Sequence, residues 1–447
     1  MTSLEWGYEQ AAEALRGALT FGIHPSLDGI RALSEALGRP DDAFASVQIT
    51  GTNGKSSVAR MTAALLEVHG MRSGAFLSPD LGRYTQRFET AGQPVSDDDF
   101  ARAIAAALEA ESIARSVGSL TEPVTEFELL TAAALWLFRE LSVDFAVLEV
   151  GMGGRWDATS VVRPSVSVIT GVGLDHMEHL GSTREAIAKD KSHIIKPASA
   201  PVLGPGTIGV EDIFLSRAET QSTHARVVRE FGQPTPVAED MTIRFRVLQH
   251  PICPDGHTRI AVRGVHAEYG VLDVAAPAYQ AANVATAIAA AEAALGRALN
   301  PALVARTFCA ITTPGRFEVL ASDPWLVVDG AHNPQAAAVL ADAIDDAWSD
   351  SAARPSVVLG VLADKDAAGI VAALAPVAGR FVCVEPSSPR ALSASALAAI
   401  VAELTDVPCA TGDLAAVVTE QRAAGHDVLV TGSLTTVAEI RQLFLGG

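Results

Sequence analysis

Short apolar runs alternate with stretches of helical periodicity along most of this 447-residue chain. Val47–Thr50 reads as a buried strand and passes through a glycine turn into Ser56–His69. There apolar residues recur every three or four positions, the spacing of a helix face. Ser73–Leu77 reads as a second strand and Phe100–Val117 as an alanine-rich helix. Glu126–Leu141 is helical and leads into a strand at Phe145–Val150. Ser165–Thr170 and Arg184–Lys196 repeat the pattern as strand and helix. Strands joined by helices pair in parallel, because the chain needs a long crossover to return to the same edge. The expected fold class is α/β, with a doubly wound, mainly parallel sheet. Residues 240–275 lose the rhythm. Thr242–Val247 and Arg259–Val262 predict a small antiparallel element inserted in the first domain. Ala281–Leu295, interrupted by Asn283 and Glu292, reads as a buried helix.

A second series follows Thr313-Pro314-Gly315. Leu326–Asp329 is a strand, and Pro334–Trp348 a helix that Asn333 can cap. Ser356–Val361, Arg380–Val384 and Asp427–Thr431 continue as strands with helices between them. Pro and Gly near 312–316 mark a hinge. This divides the chain into 1–312 and 313–447, in keeping with its length. No internal repeat is visible.

Composition narrows the partners. Formal net charge is −19. A nucleic-acid partner is excluded on this reading, because a phosphate backbone needs a basic face. An acidic protein can still hold ATP, given local cations, backbone N–H groups and metal. Cys253, Cys309, Cys383 and Cys409 form no CxxC pair. That spacing argues against a zinc site and a disulfide framework, and fits a reducing cytosol. The opening MTSLEWGYEQ lacks the basic and apolar regions of a signal peptide, and no run of 18 apolar residues suggests a membrane span. The expected location is cytoplasmic.

The glycine turn, in VQITGTNGKSSVAR at 47–60, has the chemistry of a phosphate loop but not its usual spacing. Counting back from Gly54-Lys55-Ser56, the common pattern puts a glycine where Ile49 stands; the glycine here is Gly51. N–H groups of Gly51, Thr52, Asn53, Gly54, Lys55, Ser56 and Ser57 could cradle phosphate oxygens at the start of a helix, whose dipole favours an anion. Lys55 could reach the β/γ-phosphates and the Ser56 hydroxyl could hold Mg²⁺. The bland reading is a glycine turn that binds nothing; the strand–turn–helix context favours the nucleotide.

Two further clusters follow strands. In LEVGMGGRWDATS, Glu149 stands at the carboxyl end of a strand, where open α/β sheets bind ligands. Alone it reads as a partly exposed glutamate beside a loop; with the phosphate loop it is a candidate Mg²⁺ ligand. GLDHMEHLGSTREAIAKDKSHIIKP then places Asp175, His176 and Lys191 after the strand Ser165–Thr170. A solvated loop is the alternative there.

Together these motifs resemble the Mur ligase superfamily, and most closely its folylpolyglutamate synthase/dihydrofolate synthase branch. The resemblance runs through GTNGKSS, SPDLGRYTQRF at 78–88, TEFE at 125–128 and EVGMGGRWDATS at 149–160. LDHMEHLG at 174–181, PGRFE at 314–318, DGAHNP at 329–334 and LADKD at 362–366 follow in family order. The resemblance implies a Mur-type ATPase domain followed by a smaller Rossmann-like domain, with ATP and substrates between them. It implies an ATP-dependent amide ligase that adds L-glutamate to a folate or to dihydropteroate through an acyl phosphate. By position, Lys55 would hold the ATP phosphates with help from Ser56. Ser78, Glu149 and His176, with Ser56, would bind Mg²⁺, two ions in all. Lys191 matches the lysine that the family carbamylates, giving an N6-carboxylated side chain. Asn283 would lie near the nucleotide. Arg316 and His332 would reach the phosphates on closure, and Asp329 would serve the ribose and domain interface. Asp80, Arg87, Thr125, Phe127, Glu128, Arg155 and Asp157 fall on the substrate side. Family members are commonly monomers.

Some positions depart from the family pattern. Asp80 stands for a frequent histidine, Gln86 and Phe88 change the ERI motif, and Ser160 ends DATS. Tyr279 begins the YQxxN segment and Ser192 follows Lys191. These changes leave the metal and phosphate positions intact and bear on which acid is activated. A Mur-type ligase for another carboxylate therefore remains an alternative, as does a nucleotide-binding regulatory protein without ligase activity. A cell-wall ligase would need a further N-terminal domain, and about 45 residues before the loop are too few for one. A general P-loop kinase would leave DGAHNP without a role.

Overall fold

The computed structural model describes residues 6–18, 25–349 and 354–446; the opening MTSLE, part of the signal-peptide reading, lies outside them. Eleven strands make the larger sheet: β1 Ala45–Thr50, β2 Ser73–Phe76, β3 Phe88–Thr90, β4 Gln93–Pro94, β5 Phe145–Glu149, β6 Val166–Gly171, β7 Ala200–Gly206, β8 Arg226–Glu230, β9 Thr242–Gln249, β10 Thr258–Arg263 and β11 Glu268–Val274. Their order is β11-β10-β9-β8-β7-β6-β1-β5-β2-β3-β4. β1 lies between β5 and β6 and is parallel to both, with Ile49 opposite Glu149 and Val168. Pairing stays parallel from β2 across to β9, while β3 and β4 close one edge as antiparallel additions. The strands of the 240–275 segment thus extend the large sheet, and β9 joins it in parallel.

The central strands are buried almost throughout, as strands covered by helices on both faces must be. One core cluster packs the helices Asp97–Ser116 and Glu126–Glu140 around Phe76, Phe88, Phe100 and Phe138. Alanines line the buried face of the first helix. Its start is fixed by Ser96, whose hydroxyl accepts from Asp99 N, and by three aspartates in the first turn that oppose the helix dipole. The helix expected over Arg184–Lys196 stops at Lys191 and tightens into a 3₁₀ turn, Ser192–Ile194. Two local causes act there. The Ser192 hydroxyl donates to the Lys189 carbonyl at 2.8 Å, and Pro197 disfavours helical backbone at Lys196.

The smaller sheet has six strands: β12 Glu318–Ser322, β13 Trp325–Val328, β14 Ser356–Leu359, β15 Arg380–Cys383, β16 Cys409–Thr411 and β17 Val428–Thr431. Their order is β12-β13-β17-β14-β15-β16; only β12 runs antiparallel to its neighbour. Asn333 caps the helix Pro334–Ala347 as expected, its side chain accepting from Ala336 N at 2.8 Å. The chain separates into two units. One runs to Phe245 and takes back Val262–Gly270 and Ala282–Thr307. The other holds Arg246–Ala261, Val271–Ala281 and everything from Phe308. Among the described residues no helix is long and apolar enough to cross a membrane.

Candidate active site at the phosphate loop

The loop after β1 is held by what surrounds it. Gly54 takes φ +84 and caps the helix Lys55–Val68. A Cβ there would come within 2.5 Å of the Asn283 amide oxygen, so the helix Ala281–Leu295 brings Asn283 directly against the loop. At Gly51 a Cβ would come within 1.9 Å of the Thr170 hydroxyl. Thr170 donates to the Asn53 carbonyl at 2.6 Å. The Thr52 hydroxyl donates to the Gly173 carbonyl at 3.1 Å and accepts from its N–H at 2.8 Å. The loop is therefore tied to the carboxyl end of β6, the edge where open α/β sheets bind ligands.

Two amines converge on one carbonyl. Lys55 Nζ donates to Gly51 O at 3.1 Å and to Thr52 O at 3.3 Å; Lys191 Nζ donates to Gly51 O at 3.2 Å. Lys191 is only 4 % exposed. Burial, then the nearby Lys55 charge, pushes its pKa down to about 7, against the opposing pull of Asp190, Asp175 and Asp157.

Glu149, read alone as partly exposed, is buried at the end of β5. Its two oxygens are held separately: Ser56 Oγ donates to Oε1 at 2.9 Å and Ser78 N donates to Oε2 at 3.1 Å. Two of the other three expected metal residues thus meet on this carboxylate, Ser56 through its hydroxyl and Ser78 through its backbone N–H. The fourth, His176, lies on the loop after β6 with φ +51, its Nε2 3.7 Å from Asp175 Oδ2.

The residues expected on the substrate side fall into two groups. Asp80 and Arg87 pair at 2.7 Å, and the Arg87 guanidinium lies 5.6 Å from the Tyr84 ring. Gln86 accepts from Leu81 N at 2.8 Å. Phe127 packs 5.7 Å from Phe76 and closely against Gly151. Arg155 lies over Trp156 at 4.6 Å, while its N–H donates to Asp190 at 3.3 Å. The other three make local backbone bonds. Thr125 and Glu128 form a reciprocal capping box on the helix Glu126–Glu140. Asp157 is buried and accepts from Met152 N at 3.0 Å, and from Thr159 N and Oγ1 at 3.0 and 2.5 Å. Burial raises its pKa, and these donors oppose the shift. Ser160 is likewise buried, accepting from Gln48 and donating to Gly154 O. Thr170 escaped notice in the sequence; its only signal there is its place at a strand's carboxyl end.

In the second unit, Asp329 organises the turn that carries Arg316. Tyr279 Oη and Phe317 N donate to its Oδ2, and Ala331 N to its Oδ1, each at 2.8 Å. Burial raises its pKa; the Arg316 charge is the strongest of the opposing effects. Phe317 takes φ +48, a strained conformation for a side chain of this size. His332 Nδ1 lies 2.8 Å from Gly330 O.

The Mur ligase middle domain profile matches residues 49–233, and the Mur ligase glutamate ligase domain profile matches 315–434. The chain is 35% identical to a Mycobacterium tuberculosis protein named dihydrofolate synthase/folylpolyglutamate synthase, over 94% of this chain and 90% of that one. It superposes on the M. tuberculosis folylpolyglutamate synthase complexed with ADP at a TM-score of 0.87, with 34% identity and 98% of each chain covered. A Yersinia pestis bifunctional folylpolyglutamate synthase/dihydrofolate synthase, complexed with AMPPNP and Mn ion, gives 0.81 with 27% identity and 99% of each chain. With both Mur ligase domains matched and the likeness to such relatives running nearly end to end, this chain belongs to the folylpolyglutamate synthase/dihydrofolate synthase family.

Proposed function

We propose that this protein is an ATP-dependent ligase that joins L-glutamate in amide linkage to a folate, to dihydropteroate, or to both. The observation that carries the reading is the shortened glycine loop, with Lys55 and Lys191 on the Gly51 carbonyl and buried Glu149 bonded to Ser56. Such a ligase needs no protein nucleophile. The substrate carboxylate attacks the γ-phosphate, giving an acyl phosphate and ADP; the glutamate amine attacks the acyl carbon, and phosphate leaves. What the protein must supply is position and charge.

Gly51, Thr52, Asn53, Gly54, Lys55, Ser56 and Ser57 would wrap the ATP phosphates, with Asn283 against the loop. The donor set fits Mg²⁺: a buried carboxylate and serine hydroxyls are hard oxygen ligands, and His176 stands on a neighbouring loop. Bound there, Mg²⁺ supplies neutralising charge for the phosphate oxygens. Lys191 would carry a carbamate, formed as its neutral amine adds to CO₂ and releases a proton. The lowered pKa supports this, since only the uncharged amine can react. Arg316, His332 and Asp329 would serve the nucleotide from the 313–447 domain, completing the 1–312 ATP-binding domain. The Asp80–Arg87 pair and Phe127 would face the pterin end of the acid. The reading carries with it a cytoplasmic, monomeric enzyme.

The test is glutamate-dependent ADP formation, measured separately with dihydropteroate and with reduced folates and checked by mass for one added glutamyl unit. Stimulation by either class of pterin is expected. No stimulation by any pterin overturns the folate assignment and leaves a ligase for another carboxylate, the alternative to which Asp80 and Gln86 point.

A further inference from the structure

Three unlike donor side chains from separate segments converge in the second unit. His257 immediately precedes β10, Asp273 lies in β11, and Cys309 lies in the helix Pro301–Ala310. One ligand atom from each lies within 4.8 Å of the other two, and His257 Nδ1 stands 3.7 Å from Asp273 Oδ2. Among the described residues no other set of three His, Cys, Asp or Glu donors is gathered this closely.

The backbone fixes this convergence without help from the donors. Ala275 N donates to Phe308 O at 3.0 Å, joining the end of β11 to the residue before Cys309. Thr258 Oγ1 donates to Ala276 O at 2.6 Å, joining the residue after His257 to the same segment. The imidazole is partly exposed, and the carboxylate and thiol are exposed, so an ion has an open path and room for a water ligand.

The donor chemistry selects the ion. Thiolate, imidazole and carboxylate together suit Zn²⁺, which takes four ligands in a tetrahedron. Donors sharing one tetrahedral zinc stand about 3.3–3.7 Å apart at ordinary bond lengths, so side-chain rotation of about an ångström closes the set. Mg²⁺, which demands six hard oxygens, is disfavoured. We propose that His257, Asp273 and Cys309 bind one zinc ion, with solvent in the fourth position. Binding would deprotonate the thiol and cross-link three chain segments in the folded state alone.

The test uses the full-length protein, chelator-treated and free of nucleotide, titrated with Co²⁺ as a spectroscopic probe and then with Zn²⁺. One Co²⁺ per chain should bind with tetrahedral d–d bands and a thiolate-to-cobalt charge-transfer band, both removed by Zn²⁺. Cys309→Ser should abolish the charge-transfer band. His257→Ala and Asp273→Asn should weaken binding by more than roughly ten-fold, the effect of losing even an outer-shell partner. Zn²⁺ should raise the melting temperature of the native chain but not of Cys309→Ser, whose metal-free melting temperature reports that it folds. A charge-transfer band that survives in Cys309→Ser overturns the proposal and assigns the thiolate to one of the three remaining cysteines, Cys253, Cys383 or Cys409. Absence of stoichiometric binding overturns it outright. No pterin or ATP enters the experiment, so its failure leaves the ligase reading untouched.

Discussion

At Lys191 two effects act in the same direction: burial disfavours the ammonium, and Lys55 on the same carbonyl repels it. The neutral amine that results is what carbamate formation requires. Turnover should fall in CO₂-depleted buffer and return with bicarbonate. Lys191→Ala should lower kcat by about 10²–10³, the usual loss when one group that stabilises developing charge is removed. Unchanged turnover in that variant ends the carbamate role. Gly51 offers a second residue-level test. An alanine Cβ would overlap the Thr170 hydroxyl, whose bond to Asn53 O gives it little freedom. Gly51→Ala should cost roughly 1–3 kcal/mol in unfolding free energy and weaken ATP binding. Equal stability and affinity would mean the loop moves aside freely. Lys55 and Gly51 were legible in the sequence because phosphate binding has a local pattern. The pairing of Lys55 with Lys191, 136 positions on, was not, because only sheet formation brings the two amines together.

At the scale of elements, the helix Glu126–Glu140 shows how a motif can carry a structural duty. Thr125 Oγ1 accepts from Glu128 N at 3.2 Å, while Glu128 Oε2 accepts from Thr125 N at 2.8 Å. The T-x-x-E signature before an apolar run was already readable as a helix start, and this local duty accounts for both residues without any substrate. Thr125→Ala should destabilise the chain by about 1 kcal/mol, measured as a shift in denaturant midpoint; Thr125→Ser should restore most of it. A large loss of activity with no loss of stability would instead place Thr125 in contact with substrate. Asp329 has a comparable duty in the second unit, where three donors and the Arg316 charge meet on one buried carboxylate. Removing it strands three donors, each costing about 1–3 kcal/mol when left unsatisfied, so Asp329→Ala should destabilise the chain by roughly 3 kcal/mol or more. A variant as stable as the parent would show that water satisfies them. The N-terminal helices Tyr8–Ala18 and Asp28–Ala36 belong here too. Their buried stripes, Ala11-Ala12-Leu15 and Ile30-Leu33, have helical spacing, but in such short segments the pattern is weak until tertiary packing supplies the opposite face.

For the whole molecule, alternation of strand and helix was enough to read a parallel sheet, because connection length dictates strand direction. Strand order was not readable, since nothing local in β1 says that β5 and β6 flank it. The charge distribution is also a global property. A chain of net charge −19 nonetheless keeps Lys191 buried and Lys196 half-buried in its larger unit. Lys191 is held at about 7. Lys196 is pushed down to about 8 by burial and then by Arg31, Arg163 and Arg217. Both titrate at 10.5 when unperturbed. Between the folded and unfolded values the unfolded chain holds protons that the folded chain lacks, so stability must rise with pH across that window. Below about pH 7 both states are protonated at Lys191 and its cost is fully present; above 10.5 both are neutral and the cost is gone. A single group in mid-window contributes a slope of about 1.4 kcal/mol per pH unit. Unfolding free energy measured by denaturant between pH 8 and 9 (about mid-window for Lys191), in CO₂-free buffer so that no carbamate forms, should show this rise. Lys191→Met should flatten it by about that amount while leaving the Lys196 contribution. An unchanged slope in the variant would mean that the folded protein keeps Lys191 protonated, and the neutral amine on which the carbamate depends would be lost with it.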